Sequence, residues 1–433
     1  MFALIEQKLI KKFTKILLLH LLVLSSINSS FSQNSLRGRV INAETNEPLT
    51  SISVYLNSTS IGTVTDKEGV FVLLGIPAGK FRIVASGIGF ETFIKLVNVK
   101  EVQGELSISL KPKSQELKSL EVLSPDPNGW TKWGDLFTNI FIGYSRNADD
   151  CHIENAEILK FRLNVDNSLA VYAAEPLHIK NYALGYDIMY KLEEFEFNFA
   201  NKVVVYNGYA LFKDLSLSFP KSANKWLEAR KDTYQGSLLH FMRAFFVNHL
   251  EAEGFEMRSL GYISNPLKDS AKKLFAIHKD SVILDTLFHE ISLNFDDPTK
   301  PPTSFNTTTV TNDVSKKFKS ALLQPDSIIS RQLVSADSIG FMEDSSTAGL
   351  YFPDSLEVSY KLKEVPIRYK RLFKSHKNET IPISQFVFIN KKPVYVLGNG
   401  YYYGPYDLKI TGFWAWWETI ANLLPFDYNY SNK

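Results

Sequence analysis

Runs of alternating apolar and polar residues, the period of a strand, fill most of this chain, and three stretches with apolar residues three and four apart interrupt them. In residues 36–112 the runs are short and end at Gly or Pro. Asn46-Glu47-Pro48 turns the chain after a strand over 36–42, and residues 52–56 alternate sides. Thr65-Asp66-Lys67-Glu68-Gly69 then places Asp first and Gly fourth in a turn before a strand over 70–74. Ile76-Pro77-Ala78-Gly79 predicts another turn, Phe81, Ile83 and Ala85 share one face of the next strand, and residues 93–99 and 106–110 complete a β-sandwich.

The pattern changes after Pro127. Trp130, Trp133, Leu136, Phe137, Ile140 and Phe141 fall at helical spacing behind an Asp126-Pro127 start signal. Residues 156–174, 186–199 and 202–217 read as strands, with Asn207-Gly208 a turn or bulge. Residues 236–254 read as a helix whose apolar face carries Leu238, Phe241, Met242, Phe245 and Leu250 and whose C-cap is Gly254. Strands return over 281–295, 357–369, 383–389 and 393–397, and a last helix runs from Phe413 through Leu424 to a stop at Pro425. The polar, Thr-rich residues 298–312 read as a loop or a boundary within this region. The fold class expected is mainly β with α+β character: a Greek-key sandwich over 36–112, a linker over 113–127, and a larger α+β region over 128–430 with antiparallel sheet and a few amphipathic helices.

The first 32 residues stand apart from both. Lys8, Lys11, Lys12 and Lys15 precede an apolar run over 16–27, and Ser30-Phe31-Ser32 supplies small residues before Gln33. This is the form of a cleavable export signal, and the run is shorter than the roughly 20 residues that span a bilayer. Export to the periplasm or to the outer-membrane surface is the expected destination, with no transmembrane helix left after cleavage. The whole chain carries a net charge of +2; residues 1–32 hold four Lys and one Glu, which leaves the mature part close to neutral. A neutral chain has no net pull on phosphates, so nucleic acid is not an expected partner. Cys151 is the only cysteine, so stability must come from buried core rather than disulfides.

Gly38-Arg39-Val40, Glu47-Pro48-Leu49, Gly62, Thr65-Asp66 with Gly69 and Phe71, Ile76-Pro77 with Gly79 and Phe81, and Ser86 through Gly89-Phe90 resemble the carboxypeptidase regulatory-like module, a seven-stranded, transthyretin-like sandwich common in exported proteins of Bacteroidetes type. The resemblance implies a folding or interaction accessory without catalytic residues, often found ahead of TonB-dependent outer-membrane receptors. The 306 residues after Pro127 are too few for the plug and barrel of such a receptor. Residues 111–127 are similar to the segment that joins module and plug there and read as an interdomain connector.

Motifs for chemistry are sparse. His376-Lys377-Asn378-Glu379 has the spacing of two zinc ligands, yet no His follows it, and its polar flanks read as a solvated loop. His289-Glu290 lacks the second His of a zinc helix, and Gly-x-Ser-x-Gly occurs nowhere. Cys151 and His152, adjacent in a strand, would point to opposite faces, which makes Cys151 an inert thiol. Gly75 to Lys80 is one residue short of a phosphate loop and reads as a hairpin turn. His240 and Arg243 read as a surface pair on a helix with His249 at another angle, and Glu193, Glu194 and Glu196 as the solvated side of a strand. No catalytic, cofactor-binding or metal-ligating residue is assigned.

Two aromatic runs, Tyr401-Tyr402-Tyr403 and Trp414, Trp416, Trp417, are the binding candidates should they form an exposed patch, with core packing the preferred reading. Six Asp-Ser/Thr-apolar triplets, beginning at Asp269, Asp280, Asp285, Asp326, Asp337 and Asp354, are similar to the O-glycan acceptor motif of exported Bacteroidetes proteins and equally fit ordinary turn-to-strand chemistry. The favoured function is that of a non-catalytic cell-envelope protein whose sandwich is an interaction or folding module and whose larger region binds a protein or glycan partner. An exported hydrolase with a site built from scattered residues is the alternative. A small membrane barrel fits poorly with the helices at Trp130 and Leu238.

Overall fold

A computed structural model describes residues 34–77, 79–99, 101–102, 104–113, 125–277, 320–374, 378–404 and 407–430. The export signal, the strand expected over 281–295, the loop over 298–312, His289, His376, the triplets at Asp280 and Asp285 and most of the linker lie outside the described residues. Contacts divide the chain into two compact units, the first ending at Val122.

Among the described residues the first unit has seven strands, β1 (Asn34–Asn42), β2 (Ser53–Leu56), β3 (Gly62–Val64), β4 (Val70–Ile76), β5 (Lys80–Ser86), β6 (Phe93–Asn98) and β7 (Leu106–Leu110). They form sheets ordered β4-β1-β7 and β3-β2-β5-β6, and only β1 and β7 pair in parallel. The chain changes sheet after β1, β3, β4 and β6, which gives the Greek-key connection expected. Period-two alternation aims Val40, Phe71 and Ile108 from one sheet at Val54, Ile83 and Ala85 from the other, all buried in one core. The turn residues do what their chemistry predicts. Asp66 Oδ1 accepts from the N–H of Glu68 and Val70, and Gly69 follows at φ +73°. The buried Thr65 hydroxyl accepts from the Ile52 N–H and donates to the Leu49 carbonyl, which ties the 47–49 loop to this turn. Gly38 has to be glycine because a Cβ there would lie 2.2 Å from the Leu106 carbonyl oxygen, inside the β1–β7 ladder.

The second unit opens with α1 (Gly129–Phe141), the helix expected there, whose Phe137 and Phe141 are fully buried. Six strands follow: β8 (Cys151–Ile153), β9 (Lys160–Leu163), β10 (Ser168–Tyr172), β11 (Leu177–Asn181), β12 (Tyr186–Asn198) and β13 (Val204–Asp214). β12 is the spine of their sheet, pairing with β13 along one edge and with β11 and then β10 along the other. The stretch expected as one strand over 156–174 breaks into a 3-10 turn and a β9–β10 hairpin. Asp166 Oδ1 turns the chain there by accepting from the Ser168 N–H, and Asn167 takes φ +61°. The bulge expected at Asn207-Gly208 lies on the partner strand, where Glu193 has no opposite number and the register slips between Leu192 and Glu194.

Two helices come next, α2 (Ala223–Tyr234) and α3 (Leu238–Phe246). The helix expected over 236–254 therefore ends eight residues early. Asn248 at φ +56° breaks it, its N–H bonding the Phe245 carbonyl, and Gly254 precedes a strand rather than capping a helix. The remaining elements are β14 (Phe255–Ser264), α4 (Pro266–Ile277), β15 (Ser327–Leu333), β16 (Gly340–Asp344), β17 (Thr347–Leu350), β18 (Ser355–Tyr360), α5 (Ile367–Leu372), β19 (Ile383–Phe388), β20 (Val394–Leu397), β21 (Tyr402–Tyr403), β22 (Leu408–Gly412) and α6 (Phe413–Trp417). They build a five-stranded sheet, β15-β14-β18-β19-β22, and a four-stranded one, β16-β17-β20-β21. The strand expected over 357–369 stops at Tyr360, and Pro366 starts α5 instead.

The last helix is also shorter than its apolar run suggests. α6 ends at Trp417, Thr419 is extended, and a 3-10 turn follows over Ile420–Asn422. The break serves two cores. Phe413, Trp414, Trp416 and Trp417 pack with α3 and the five-stranded sheet, whereas Ile420, Ala421 and Leu424 pack with α1 and the β12 sheet. One unbroken helix of that length would hold both sets on a single rod. No described helix is long and apolar enough to cross a membrane.

Candidate functional site

The aromatic candidates divide by burial. Trp414, Trp416 and Trp417 are 2%, 5% and 6% exposed, and their rings pack against Phe413, Tyr369, Phe241 and Phe386. Trp414 Nε1 donates to the Gly236 carbonyl and Trp417 Nε1 to that of Thr233. Indoles packed this way present no face to a sugar, so these three are core residues and not a binding patch. Tyr401, Tyr402 and Tyr403 are half-buried; Tyr401 meets Tyr403 and Phe426 edge to face, and Tyr402 packs against the second core. They form no open platform.

The other residues singled out by sequence are built into the framework. Cys151 is buried in β8 while His152 is exposed on the opposite face, and burial pushes the thiol up to about 12. Native protein at pH 8 is therefore expected to resist iodoacetamide and to take up one equivalent once unfolded in guanidinium; labelling of the folded chain at the rate of a free thiol would refute the burial. His240 is not on the surface as its spacing with Arg243 suggested. It is 3% exposed, its Nδ1 accepts from the Gly236 N–H at 3.1 Å, and Nε2 faces Glu253 Oε2 at 3.1 Å. That hydrogen bond to Nδ1 leaves the proton on Nε2, and burial holds the imidazole below its ordinary value. Arg243 donates to the carbonyls of Asn399, Phe426 and Tyr428 and so pins the C-terminal segment.

A pocket of about 310 Å³ opens on the polar face of the five-stranded sheet, lined by Arg331, Glu357, Glu379, Ile383, Gln385 and Thr411. Cross-strand register places the polar groups together. Glu357 on β18 pairs with Gln385 on β19, which pairs with Thr411 on β22, so the three side chains stand in one row on one face. Their neighbours Leu356, Val358, Phe386 and Phe388 point the other way, into the second core. Arg331 reaches the row from β15, and Glu379 from the loop before β19. Gly412 closes the end of the pocket at φ +76°, where a Cβ would lie 2.6 Å from the Ile383 carbonyl oxygen.

Two of these side chains keep hydrogen-bonding capacity in reserve. Glu357 is 7% exposed, and its described partner is Arg331, with Nη2 to Oε2 at 3.4 Å, longer than a charge-assisted hydrogen bond. Among the described residues neither the Gln385 amide nor the Thr411 hydroxyl makes a hydrogen bond. Gln385 and Thr411 are partly exposed, so their uncommitted amide and hydroxyl face the open volume. Sequence reading placed Glu379 in a solvated loop and took no note of Glu357, Gln385 or Thr411, because each is only one outward position in its own strand.

Residues 36–122 match the CarboxypepD_reg-like domain, a match that runs twelve residues past the end of β7. Among solved structures, the chain aligns with a protein of unknown function from Bacteroides fragilis NCTC 9343, provisionally described as membrane-associated, at 10% identity over 84% of this chain and 93% of that one, with a TM-score of 0.15. A score that low carries nothing further. No curated protein matches the chain.

Proposed function

We propose that this is a non-catalytic protein of the cell envelope, exported to the periplasm or the outer-membrane surface, in which the sandwich serves as an interaction or folding module and the second unit binds a partner. The module reading is supported by the CarboxypepD_reg-like match, since that domain is regulatory-like rather than catalytic in name and its strands here are held by turn chemistry and core packing. The binding reading rests on one observation: Gln385 and Thr411 stand in a row with Glu357 at the wall of a pocket, and neither makes a side-chain hydrogen bond among the described residues. A protein or glycan partner is the class such a lining suits.

Capture from envelope extracts on immobilised mature chain, wild type against a Gln385→Ala/Thr411→Val variant, tests it. The wild type should recover a reproducible partner that the variant loses; no partner, or equal recovery by both, would defeat the reading. The two carboxylates in one pocket, Glu357 and Glu379, are what favours an exported hydrolase as a second reading. Turnover of a peptide or glycoside that disappears in Glu357→Gln would establish that one instead.

A further inference from the structure

We infer that α5 and the two residues after it form a docking surface for an anionic lipid bilayer, one that shares no residue with the pocket and does not depend on the binding reading above. Charge is the first ground. The whole chain is nearly neutral, at +2, yet residues 361–374 hold Lys361, Lys363, Arg368, Lys370, Arg371 and Lys374 against Glu364 alone. Lys361, Lys363 and Arg368 are spent within the fold, paired with Glu256, Asp232 and Asp149. Among the described residues Lys370, Arg371 and Lys374 make no ion pair, so their charge is left for something outside the chain.

The second ground is apolar. Tyr369, fully buried, fastens α5 to the second core, its ring edge to face with Phe413 and Trp416. At about 3.6 residues per turn, Ile367 and Arg371 fall on the side of the helix opposite Tyr369, away from that core. Ile367 is 65% exposed, Leu372 48% and Phe373 41%, three large apolar side chains interleaved in sequence with the three unpaired cations. A dissolved polyanion would neutralise the cations and leave the apolar side chains in water. A bilayer interface takes both, with anionic headgroups beside the ammonium and guanidinium groups and the acyl boundary around Ile367, Leu372 and Phe373. The aliphatic stems of Lys370, Arg371 and Lys374 are long enough to keep their heads at headgroup level while the apolar tips go deeper. So short a helix gives a shallow, reversible contact.

The test is co-sedimentation of the mature chain with vesicles of phosphatidylcholine alone or of phosphatidylcholine with about one third phosphatidylglycerol. The anionic vesicles should bind the chain at least about tenfold more tightly than the neutral ones, and raising salt from low to physiological strength should weaken that binding. Arg371→Gln/Lys374→Gln should weaken it at least about tenfold, each basic residue at such a surface being worth about fivefold. Ile367→Ser/Leu372→Ser, which leaves every charge in place, should weaken it as well. Lys221→Gln/Lys225→Gln removes two exposed cations elsewhere on the second unit and should leave it unchanged. All six positions are exposed, so each variant should keep the native circular dichroism.

No binding to anionic vesicles, equal binding to both kinds, undiminished binding by the Arg371/Lys374 variant, or an equal loss in the Lys221/Lys225 control would each overturn the inference. Undiminished binding by the serine variant, with polyglutamate bound as tightly as the vesicles, would overturn it in favour of an acidic polypeptide. None of these results bears on the pocket, whose partner capture stands or falls with Gln385 and Thr411.

Discussion

Arg230→Met is expected to destabilise the second unit by about 1.5 to 4 kcal/mol, read as a fall in its denaturant midpoint. The guanidinium sits on α2 with its side chain 8% exposed and spends its donors inward. Nε donates to the Leu184 carbonyl at 2.7 Å, Nη2 to the Gly185 carbonyl at 2.9 Å, and both terminal nitrogens to Asp214. Its flat face lies 3.9 Å over the Tyr186 ring. Methionine fills much of the volume and satisfies none of these groups. Asp214 is 44% exposed and can turn to water, so the ion pair itself contributes little. The loss comes mainly from the buried Leu184 carbonyl, worth about 1 to 3 kcal/mol when orphaned, whereas the Gly185 carbonyl keeps the Leu215 N–H as a donor.

The same corner is locked from a second side. Trp226 Nε1 donates to the Tyr182 carbonyl, and Gly185 turns at φ +70° with the Trp226 ring where a Cβ would be. Arg230→Lys keeps the charge but not the fork, and should recover less than half of the loss. A midpoint within experimental error of the wild type would show that the buried contacts are dispensable.

That corner also shows where sequence reasoning stops. α2 was not expected, because its buried stripe is Trp226, Arg230 and Tyr234, and a charged residue at the centre cancels the apolar periodicity that announces a helix. α1 was legible because Phe137 and Phe141 repeat at i, i+4 with no such interruption. In the sandwich, Asp66 and Gly69 fixed a turn through local chemistry alone, which one sequence displays in full. The pocket is the opposite case. Arg331, Glu357, Gln385 and Thr411 come from four strands, and what unites them is the register between strands, which no single strand encodes. The tryptophans, for which core packing was the preferred reading, are buried, but the extended Thr419 beside them is specified by two separate cores competing for one segment, which the sequence does not display.

Glu418, beside that break, should impose a pH dependence on stability. Burial raises its carboxyl from an ordinary value of 4.5 to about 7, against the Leu238 N–H, which donates to Oε1 at 2.8 Å and pulls the other way. Between pH 4.5 and 7 the folded chain therefore holds a proton that the unfolded chain has released. The group's contribution is fully present below 4.5 and is lost as pH rises through 7, with an upper bound of about 3 kcal/mol, since the residue keeps some solvent contact.

Glu418→Gln retains the oxygen that caps α3 and cannot ionise. It should match the wild type near pH 4.5 and exceed it at pH 8 by up to about 3 kcal/mol, measured as the difference in urea midpoints across that range. His240, held below its ordinary value, acts with the opposite sign, gaining stability as pH rises, but it is present in both proteins and cancels in the difference. A pH-independent difference would mean that Glu418 is already ionised in the folded chain. The position explains why a costly acid could persist: Tyr206 on β13 donates to the Glu418 carbonyl while its side chain caps α3, so this one residue joins the two cores of the second unit through two separate hydrogen bonds.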